Sequence, residues 1–307
     1  MPVNPGIAYQ KAEGEYHNAK STSEKIRALE NMYSTAPHHK GSENLLKEIK
    51  SKISKLKEKL EKESSKKSSY SITVKKEGAA TVSLLGITNS GRSTILKSVT
   101  NTNPKISEYE YTTNMPEIGT MDYNGIKIQI IEIPAINLGF SQKGNGPAFF
   151  SIIRNSDLII VVLDGLKPLG EQLNLIEQEC KNSLIELDGE TKGSILGIPC
   201  LIIVNKKFKR PKTKHPVIKT ENLRLEIWKR LNLIYVYTKS PGKERDFPPV
   251  ALKKGSTIYE LALKVHKEFA EKFKYARVWG KSAKHDGASV GLDHVLKEGD
   301  IIEVHIK

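Results

Sequence analysis

The sequence predicts an α/β fold: a mostly parallel sheet flanked by helices, with a helical hairpin before it and a smaller α+β module after it. Three observations carry this. Strand-like and helix-like patterns alternate through residues 70–231, as expected of a parallel sheet covered on both faces. Inside that region, Gly86-Ile87-Thr88-Asn89-Ser90-Gly91-Arg92-Ser93 joins an apolar run, Val82-Ser83-Leu84-Leu85, to Thr94-Ile95-Leu96-Lys97, which opens a helix. A glycine-rich turn between strand and helix is the context of the phosphate-binding pattern G-x-x-x-x-G-K-[ST], here with Arg92 in place of the lysine. Finally, 307 residues with 38% hydrophobic content suffice for two globular domains and an appendage.

Residues 1–69 read as a helical hairpin and linker. Ser21-x-x-Glu24 has capping-box spacing, and Ile26, Leu29, Met32 and Tyr33 recur at helical period. Ala36-Pro37-His38-His39-Lys40-Gly41 breaks the helix. Ser42 is placed to cap a second one, whose Leu45, Leu46, Ile49, Ile53, Leu56 and Leu60 form one stripe. Ser64-Ser65-Lys66-Lys67-Ser68-Ser69 reads as a polar boundary.

Residues 70–232 form the main domain. Strands are expected at Val82–Leu85, Ile126–Ile133, Leu158–Leu163 and Cys200–Val204, with Asn124-Gly125 as a hairpin turn that adds an antiparallel edge. Helices are expected near 93–100, 147–154, 171–187 and 221–231. Residues 233–307 begin with the alternating strand Leu233–Thr238. A helix near Thr257–Phe269 follows, and a strand at Ile301–Ile306 closes the module.

The net charge is +14 and unevenly placed. Residues 1–70 hold 14 basic against 9 acidic residues, 71–204 hold 11 against 14, and 205–307 hold 24 against 12. The densest cluster is Lys206-Lys207-Phe208-Lys209-Arg210-Pro211-Lys212-Thr213-Lys214. Composition alone leaves two readings open, a polyanionic partner such as nucleic acid or a solvated lysine-rich surface. No stretch approaches the roughly 18 apolar residues of a membrane helix, and Met1–Gln10 has no hydrophobic leader core. Cys180 and Cys200 lack metal-ligand spacing and fit free thiols in a reducing compartment. A cytoplasmic protein without a membrane partner is expected.

If the glycine-rich turn holds a phosphate chain, its backbone N–H groups and the helix N-terminus do so, and Ser93 supplies a hydroxyl to Mg²⁺. The candidate nucleotide-binding residues are Asn89, Ser90, Gly91, Arg92, Ser93, Thr94, Asn205 and Lys206. Three further segments occur in the order a P-loop GTPase requires. Glu110-Tyr111-Thr112-Thr113 lies where switch I belongs, with Thr112 and Thr113 as candidate Mg²⁺ ligands. Ile131-Glu132-Ile133-Pro134-Ala135 ends a strand where D-x-x-G belongs. Glu132 keeps a carboxylate one methylene longer, and Ala135 adds a Cβ where glycine is usual. Ile136 is aliphatic where a Ras-like enzyme positions its water, so no catalytic residue is assigned. Asn205-Lys206-Lys207-Phe208 follows a strand where N-K-x-D belongs. Phe208 cannot accept the hydrogen bonds that select guanine.

Taken in order, these segments resemble the Obg-related branch of GTPases. They come nearest the developmentally regulated GTP-binding (DRG) group and its prokaryotic, archaeal-type relatives, here with degenerate GTPase motifs. Tyr109-Glu110-Tyr111-Thr112-Thr113 and Ile131-Glu132-Ile133-Pro134-Ala135-Ile136 resemble that group's "Y-x-F-T-T" and "D-x-P-G-I" phrases. Tyr235-Val236-Tyr237-Thr238-Lys239-Ser240-Pro241-Gly242-Lys243, Phe273-Lys274-Tyr275-Ala276-Arg277-Val278-Trp279-Gly280 and Val290-Gly291-Leu292-Asp293-His294-Val295-Leu296 resemble its TGS domain. The resemblance implies a GTPase-like core, a β-grasp, ubiquitin-like TGS module, GTP with Mg²⁺, and association with the ribosome or structured RNA in translation. It also implies a role for Asn89 in binding K⁺. An accessory protein partner is compatible with it, and DNA is not expected. Arg92, Glu132, Ala135 and Phe208 depart from the group's pattern, and Val217-Ile218-Lys219 stands where a base-contacting Ser-Ala is usual. Three readings stay open: a slow GTP-binding translation factor, a nucleotide-independent RNA- or ribosome-binding adaptor on a pseudo-GTPase scaffold, and a P-loop protein that also accepts ATP.

Overall fold

The computed structural model describes residues 6–19, 22–37, 42–67, 72–100, 105–106 and 115–307. The chain divides into two compact units, Met1–Ser71 and Ile72–Lys307.

The first unit is helical. α1 (Ile7–Asn18) packs on α2 (Thr22–Thr35), and α2 packs on α3 (Glu43–Lys67). Tyr9 and Ala12 of α1, Leu29 and Met32 of α2, and Ile49 of α3 are buried together, with Leu45, Leu46, Ile53 and Leu56 against them. The expected hairpin is therefore present as α2 and α3, and α1 extends it to three helices. Ser42 Oγ donates to the Pro37 carbonyl across the break. Ser64–Lys67, read from sequence as part of a linker, instead continue α3. Lysine is a good helix former, and extending a nucleated helix costs little. Ser21 of the proposed capping box lies outside the described residues.

Among its described residues, the second unit holds two sheets of five or more strands. The larger has seven. β1 (Ala80–Leu85) leads through the glycine-rich turn into α4 (Arg92–Val99). β2 (Lys105–Ile106), β3 (Glu117–Tyr123) and β4 (Ile126–Glu132) follow. Next come α5 (Gly146–Arg154), β5 (Leu158–Asp164) and α6 (Leu169–Asn182). A separate parallel pair, β6 (Ile185–Leu187) and β7 (Leu196–Ile198), precedes β8 (Cys200–Asn205), β9 (Val217–Ile218) and α7 (Leu223–Leu231). The strand order is β2-β3-β4-β1-β5-β8-β9. β4, β1, β5, β8 and β9 are mutually parallel; β3 pairs antiparallel with β4, and β2 with β3. The β3–β4 turn is Asn124-Gly125 with φ of 52° and 87°, the positive values a two-residue hairpin requires.

Burial explains the continuous apolar strands. β5 sends Leu158, Ile160 and Val162 to a core that includes Ile95 and Leu96 of α4 and Ile227 and Trp228 of α7. Its Ile159, Val161 and Leu163 face the opposite core, with Phe149, Ile153 and Ile176 of α5 and α6. A strand buried on both faces cannot alternate apolar with polar. The helix expected over 171–187 ends at Asn182. Leu184 takes a left-handed φ of 58°, and Ile185–Leu187 continue as β6. Both elements bury apolar residues, so periodicity alone joined them.

β10 (Leu233–Thr238), β11 (Val250–Lys253), α8 (Ile258–Val265), α9 (Lys267–Glu271), β12 (Phe273–Trp279), β13 (Ala288–Val290) and β14 (Ile301–Ile306) form the remaining module. Its sheet order is β11-β10-β14-β12-β13, with β10 and β14 parallel and the other pairs antiparallel. Ile258 and Leu261 of α8 pack onto one face of the sheet, giving the β-grasp arrangement. Thr257 and Glu260 form a capping box at the start of α8. The single helix expected at Thr257–Phe269 is two, because His266 is extended (φ −164°, ψ 136°) and its ring accepts from the Glu268 N–H at 3.3 Å. Trp228 joins this module to the large sheet. It stacks on Tyr123 at 4.8 Å, meets Tyr235 at 6.1 Å and donates to Glu298 at 3.0 Å.

Among the described residues no helix is long and apolar enough to cross a membrane. Cys180 and Cys200 are buried free thiols, and burial pushes Cys180 up to about 12.

Candidate functional site

β1 delivers the chain to the glycine-rich turn. Asn89 has a φ of 62°, the Ser90 N–H donates to the Ile87 carbonyl at 3.2 Å, and Gly91 at φ 95° is the N-cap of α4. Among the described residues no side chain caps this helix, and its first turn contains no acid. The first-turn N–H groups of a helix have no acceptor within it, so this end carries partial positive charge and free donors. They face a cavity of about 470 Å³ lined by Asn89, Ser90, Gly91, Arg92, Ser93, Thr94, Glu132, Asn205 and Lys206. All the candidate nucleotide-binding residues thus share one cavity. Thr112 and Thr113 lie outside the described residues. Ala135 does not line the cavity, but its neighbour Ile136 donates its N–H to the Gly86 carbonyl at 3.0 Å and ties the two loops together.

The charged groups of the cavity are engaged with protein. Arg92 Nη1 donates to the Ile133 carbonyl, and Nε lies 3.9 Å from Glu132 Oε1. The Arg92 side chain is only 10% exposed, and burial holds its pKa below the usual arginine value despite the attraction of Glu132. Ser93 Oγ donates to Glu132 Oε1 at 2.9 Å. Among the described residues, Glu132 Oε2 and Ser90 Oγ are buried without a hydrogen-bond partner. Lys206 Nζ pairs with Asp164 Oδ2 at 2.6 Å, and that hydrogen bond lowers the Asp164 pKa. Asn205 Nδ2 donates to the Ser90 carbonyl at 3.2 Å, joining the end of β8 to the glycine-rich turn. Phe208 is 48% exposed, with Lys219 Nζ 5.7 Å above its ring.

Burial raises the Glu132 pKa, against the smaller opposing effects of Ser93 and Arg92. A carboxyl raised on folding weakens the fold at pH values above its unfolded pKa, and the penalty is complete above the folded value. Glu132→Gln keeps an acceptor for Ser93 and removes the charge. It is expected to raise the melting temperature at neutral pH, by about 2–4 °C for each kcal/mol regained. The gain should vanish below the ordinary carboxylate range. Melting curves of both proteins across pH check this; equal stability at neutral pH counts against it.

Sequence reasoning missed the partners of these residues. Asp164 ends β5 and carries no motif. Glu179 is almost fully buried on α6 and accepts from the Gly139 N–H at 2.7 Å and the Ser141 N–H at 2.8 Å, fixing the loop after Ala135. An acid beside Leu173, Ile176 and Cys180 on an apolar helix face was the available signal for it.

Known proteins resemble this chain over most of its length. A profile described as "50S ribosome-binding GTPase" matches residues 81–206, and a TGS domain profile matches 234–306. An uncharacterised GTP-binding protein of Methanocaldococcus jannaschii is 29% identical, over 92% of this chain and 93% of its own. The developmentally-regulated GTP-binding protein 1 of Xenopus laevis is 30% identical, over 75% of this chain and 83% of its own. The chain belongs to the DRG family. Among solved structures, the YchF GTPase of Schizosaccharomyces pombe aligns with 75% of this chain and 99% of its own, at 12% identity and a TM-score of 0.48. Within this DRG-family chain, the two profile matches cover the glycine-rich turn with the end of β8, and β10 through β14.

Proposed function

We propose that this DRG-family chain binds a guanine nucleotide on the Gly86–Ser93 turn, hydrolyses it slowly at most, and works with the ribosome or a structured RNA. The observation that carries the nucleotide reading is the uncapped N-terminus of α4 facing the 470 Å³ cavity. Backbone donors there serve a phosphate chain without the missing lysine. Its relatives are named as GTP-binding proteins, and the matching profile is described as ribosome-binding. The basic excess of residues 205–307 supports the RNA partner.

The residues present fit Mg²⁺. Ser93 spends its proton on Glu132 and keeps its lone pairs, and Glu132 Oε2 is a buried acceptor that finds no donor among the described residues. Ser93 and Glu132 would hold the ion, with Thr113 as the switch I candidate; when bound, Mg²⁺ neutralises phosphate charge. Asn89, on the rim of the same cavity, is the K⁺ candidate. Ile136 is 1% exposed and has no group to orient water, which supports the reading that no side chain at this position drives hydrolysis.

The adaptor reading is favoured by one fact: the cations of Arg92 and Lys206 are both engaged by protein groups. Calorimetric titration with non-hydrolysable GTP and ATP analogues, with Mg²⁺ and K⁺ present, separates the readings. Selective micromolar GTP binding supports the proposal, and no binding of either analogue leaves the adaptor. Arg92→Lys is expected to tighten triphosphate binding about tenfold, ~1.4 kcal/mol, because a slimmer cation can leave Ile133 for the phosphates. Weaker binding by that variant would mean that arginine is itself a ligand. Phe208→Asp is expected to increase the preference for GTP over ATP, since it restores an acceptor for the guanine edge.

A further inference from the structure

We propose that the loop from Lys206 to Lys214, which in a GTPase would read the base, is the RNA-docking element of this protein and grips phosphates. The inference rests on the RNA reading above and adds the place. The loop carries six cations and no acid. Lys206 is used internally. Lys207, Lys209, Arg210, Lys212 and Lys214 make no ion pair with any described residue, and Lys207, Lys209, Arg210 and Lys212 are exposed. A cluster of unneutralised cations is stable on a surface only while solvent or a polyanion screens it.

Both ends of the loop are anchored. At its start, Asn205 Nδ2 holds the Ser90 carbonyl, the Gly165 N–H donates to the Asn205 carbonyl at 3.0 Å, and Lys206 pairs with Asp164. At its end, the His215 ring is buried between two carboxylates, with Nδ1 2.6 Å from Asp188 Oδ2 and Nε2 3.1 Å from Glu177 Oε1. Arg230 and the Cys200 N–H also bind Asp188. The anchors limit the order the loop must gain on binding, which lowers the entropic cost of engaging a partner. At the loop's first turn, Phe208 and Lys219 present an exposed ring and a cation side by side, a pair suited to an unstacked base next to its phosphate. Phe208 stands where a base-reading aspartate is usual, so beyond Asn205 and Lys206, which line the candidate nucleotide cavity, the loop carries no acid to repel a polyanion.

The test compares wild type with two variants of the full chain that lose the same charge. One carries Lys207→Ser, Lys209→Ser, Arg210→Ser and Lys212→Ser. The other carries Lys243→Ser, Lys253→Ser, Lys254→Ser and Lys274→Ser, at exposed positions of the β-grasp module. Binding to purified ribosomes is read by co-sedimentation, and binding to a fluorescently labelled RNA hairpin by anisotropy over a salt series. The loop variant is expected to lose about thirtyfold in RNA affinity or more. Its slope of log affinity against log salt should flatten by about three, near the 0.7–0.9 expected for each lost phosphate contact. The second variant should lose much less. Equal losses in both variants, or an unchanged slope in the loop variant, overturn the inference and leave the RNA reading standing. Lost ribosome binding with intact hairpin binding would assign the loop to a ribosomal protein and overturn it as well. A wild type that binds neither probe refutes the RNA reading, and this inference with it.

Discussion

Gly91→Ala is expected to abolish nucleotide binding and to destabilise the fold. Two independent effects act at this residue. Its φ of 95° lies where a side chain is strained, at a cost of about 1–3 kcal/mol. A Cβ there would also sit 1.8 Å from Asn205 Nδ2 and 3.1 Å from its Cγ. The Asn205 amide would have to leave the Ser90 carbonyl, and the end of β8 would separate from the glycine-rich turn. The first-turn donors of α4 would then no longer converge. Calorimetry should find affinity reduced by more than about a hundredfold, ~2.8 kcal/mol, with a lower melting temperature. The double variant Gly91→Ala, Asn205→Ala separates the effects, because Asn205 Cβ is 3.7 Å from the new methyl group. Truncating Asn205 relieves the clash and leaves the backbone strain, so the two substitutions should be clearly non-additive. Nucleotide affinity in Gly91→Ala within twofold of wild type would show that this turn is not where the phosphates sit.

What the sequence made legible follows from the range over which each signal acts. Buried strands were clear because β5 and β8 are apolar on both faces up to their last residue, while β1 and β4 keep one apolar face each, Ala80, Val82 and Leu84 in β1 and Ile126, Ile128 and Ile130 in β4, a property of nearby residues. The Asn124-Gly125 turn was clear because only certain residues accept its backbone. The cavity's lining could be named because the P-loop and N-K patterns sit at element ends, where the fold must bring them together. The internal partners of the cavity's cations were not legible. Lys206 is 42 residues from Asp164, and Arg92 is 41 from Ile133. Nothing in the local pattern says that a guanidinium in a phosphate cradle will turn to a carbonyl of the next loop. The boundary between α6 and β6 failed for another reason: Cys180, Ile185 and Leu187 are all buried in one core, so apolar spacing continued across a change of element. Lys66 and Lys67 misled in the opposite sense, since a charged run reads as a boundary but suits an extending helix.

Asp188→Ala is expected to cost about 3–5 kcal/mol, the range for removing one partner from a buried charged network. Asp188 accepts from His215 Nδ1, Arg230 Nη2 and the Cys200 N–H. The truncation leaves all three without that acceptor at once, with the His215 side chain 1% exposed. Burial alone would raise the Asp188 pKa; the bonds from His215, Cys200 and Arg230 more than offset it and hold the carboxyl below its ordinary 3.8. Its stabilising effect is therefore complete above the unfolded value and lost as pH falls through the lower folded one. Urea denaturation should find wild type and Asp188→Ala farthest apart near neutral pH and converging in acid. Asp188→Asn should be milder, because asparagine tolerates the φ of 54° at this position and retains one acceptor oxygen. Its stability should also depend less on pH in the acid range. The alanine variant frees the far anchor of the Lys206–Lys214 loop, so its RNA affinity should fall even at temperatures where the fold is intact. A folded Asp188→Ala protein with wild-type RNA affinity would mean that the cations act without the anchor that presents them.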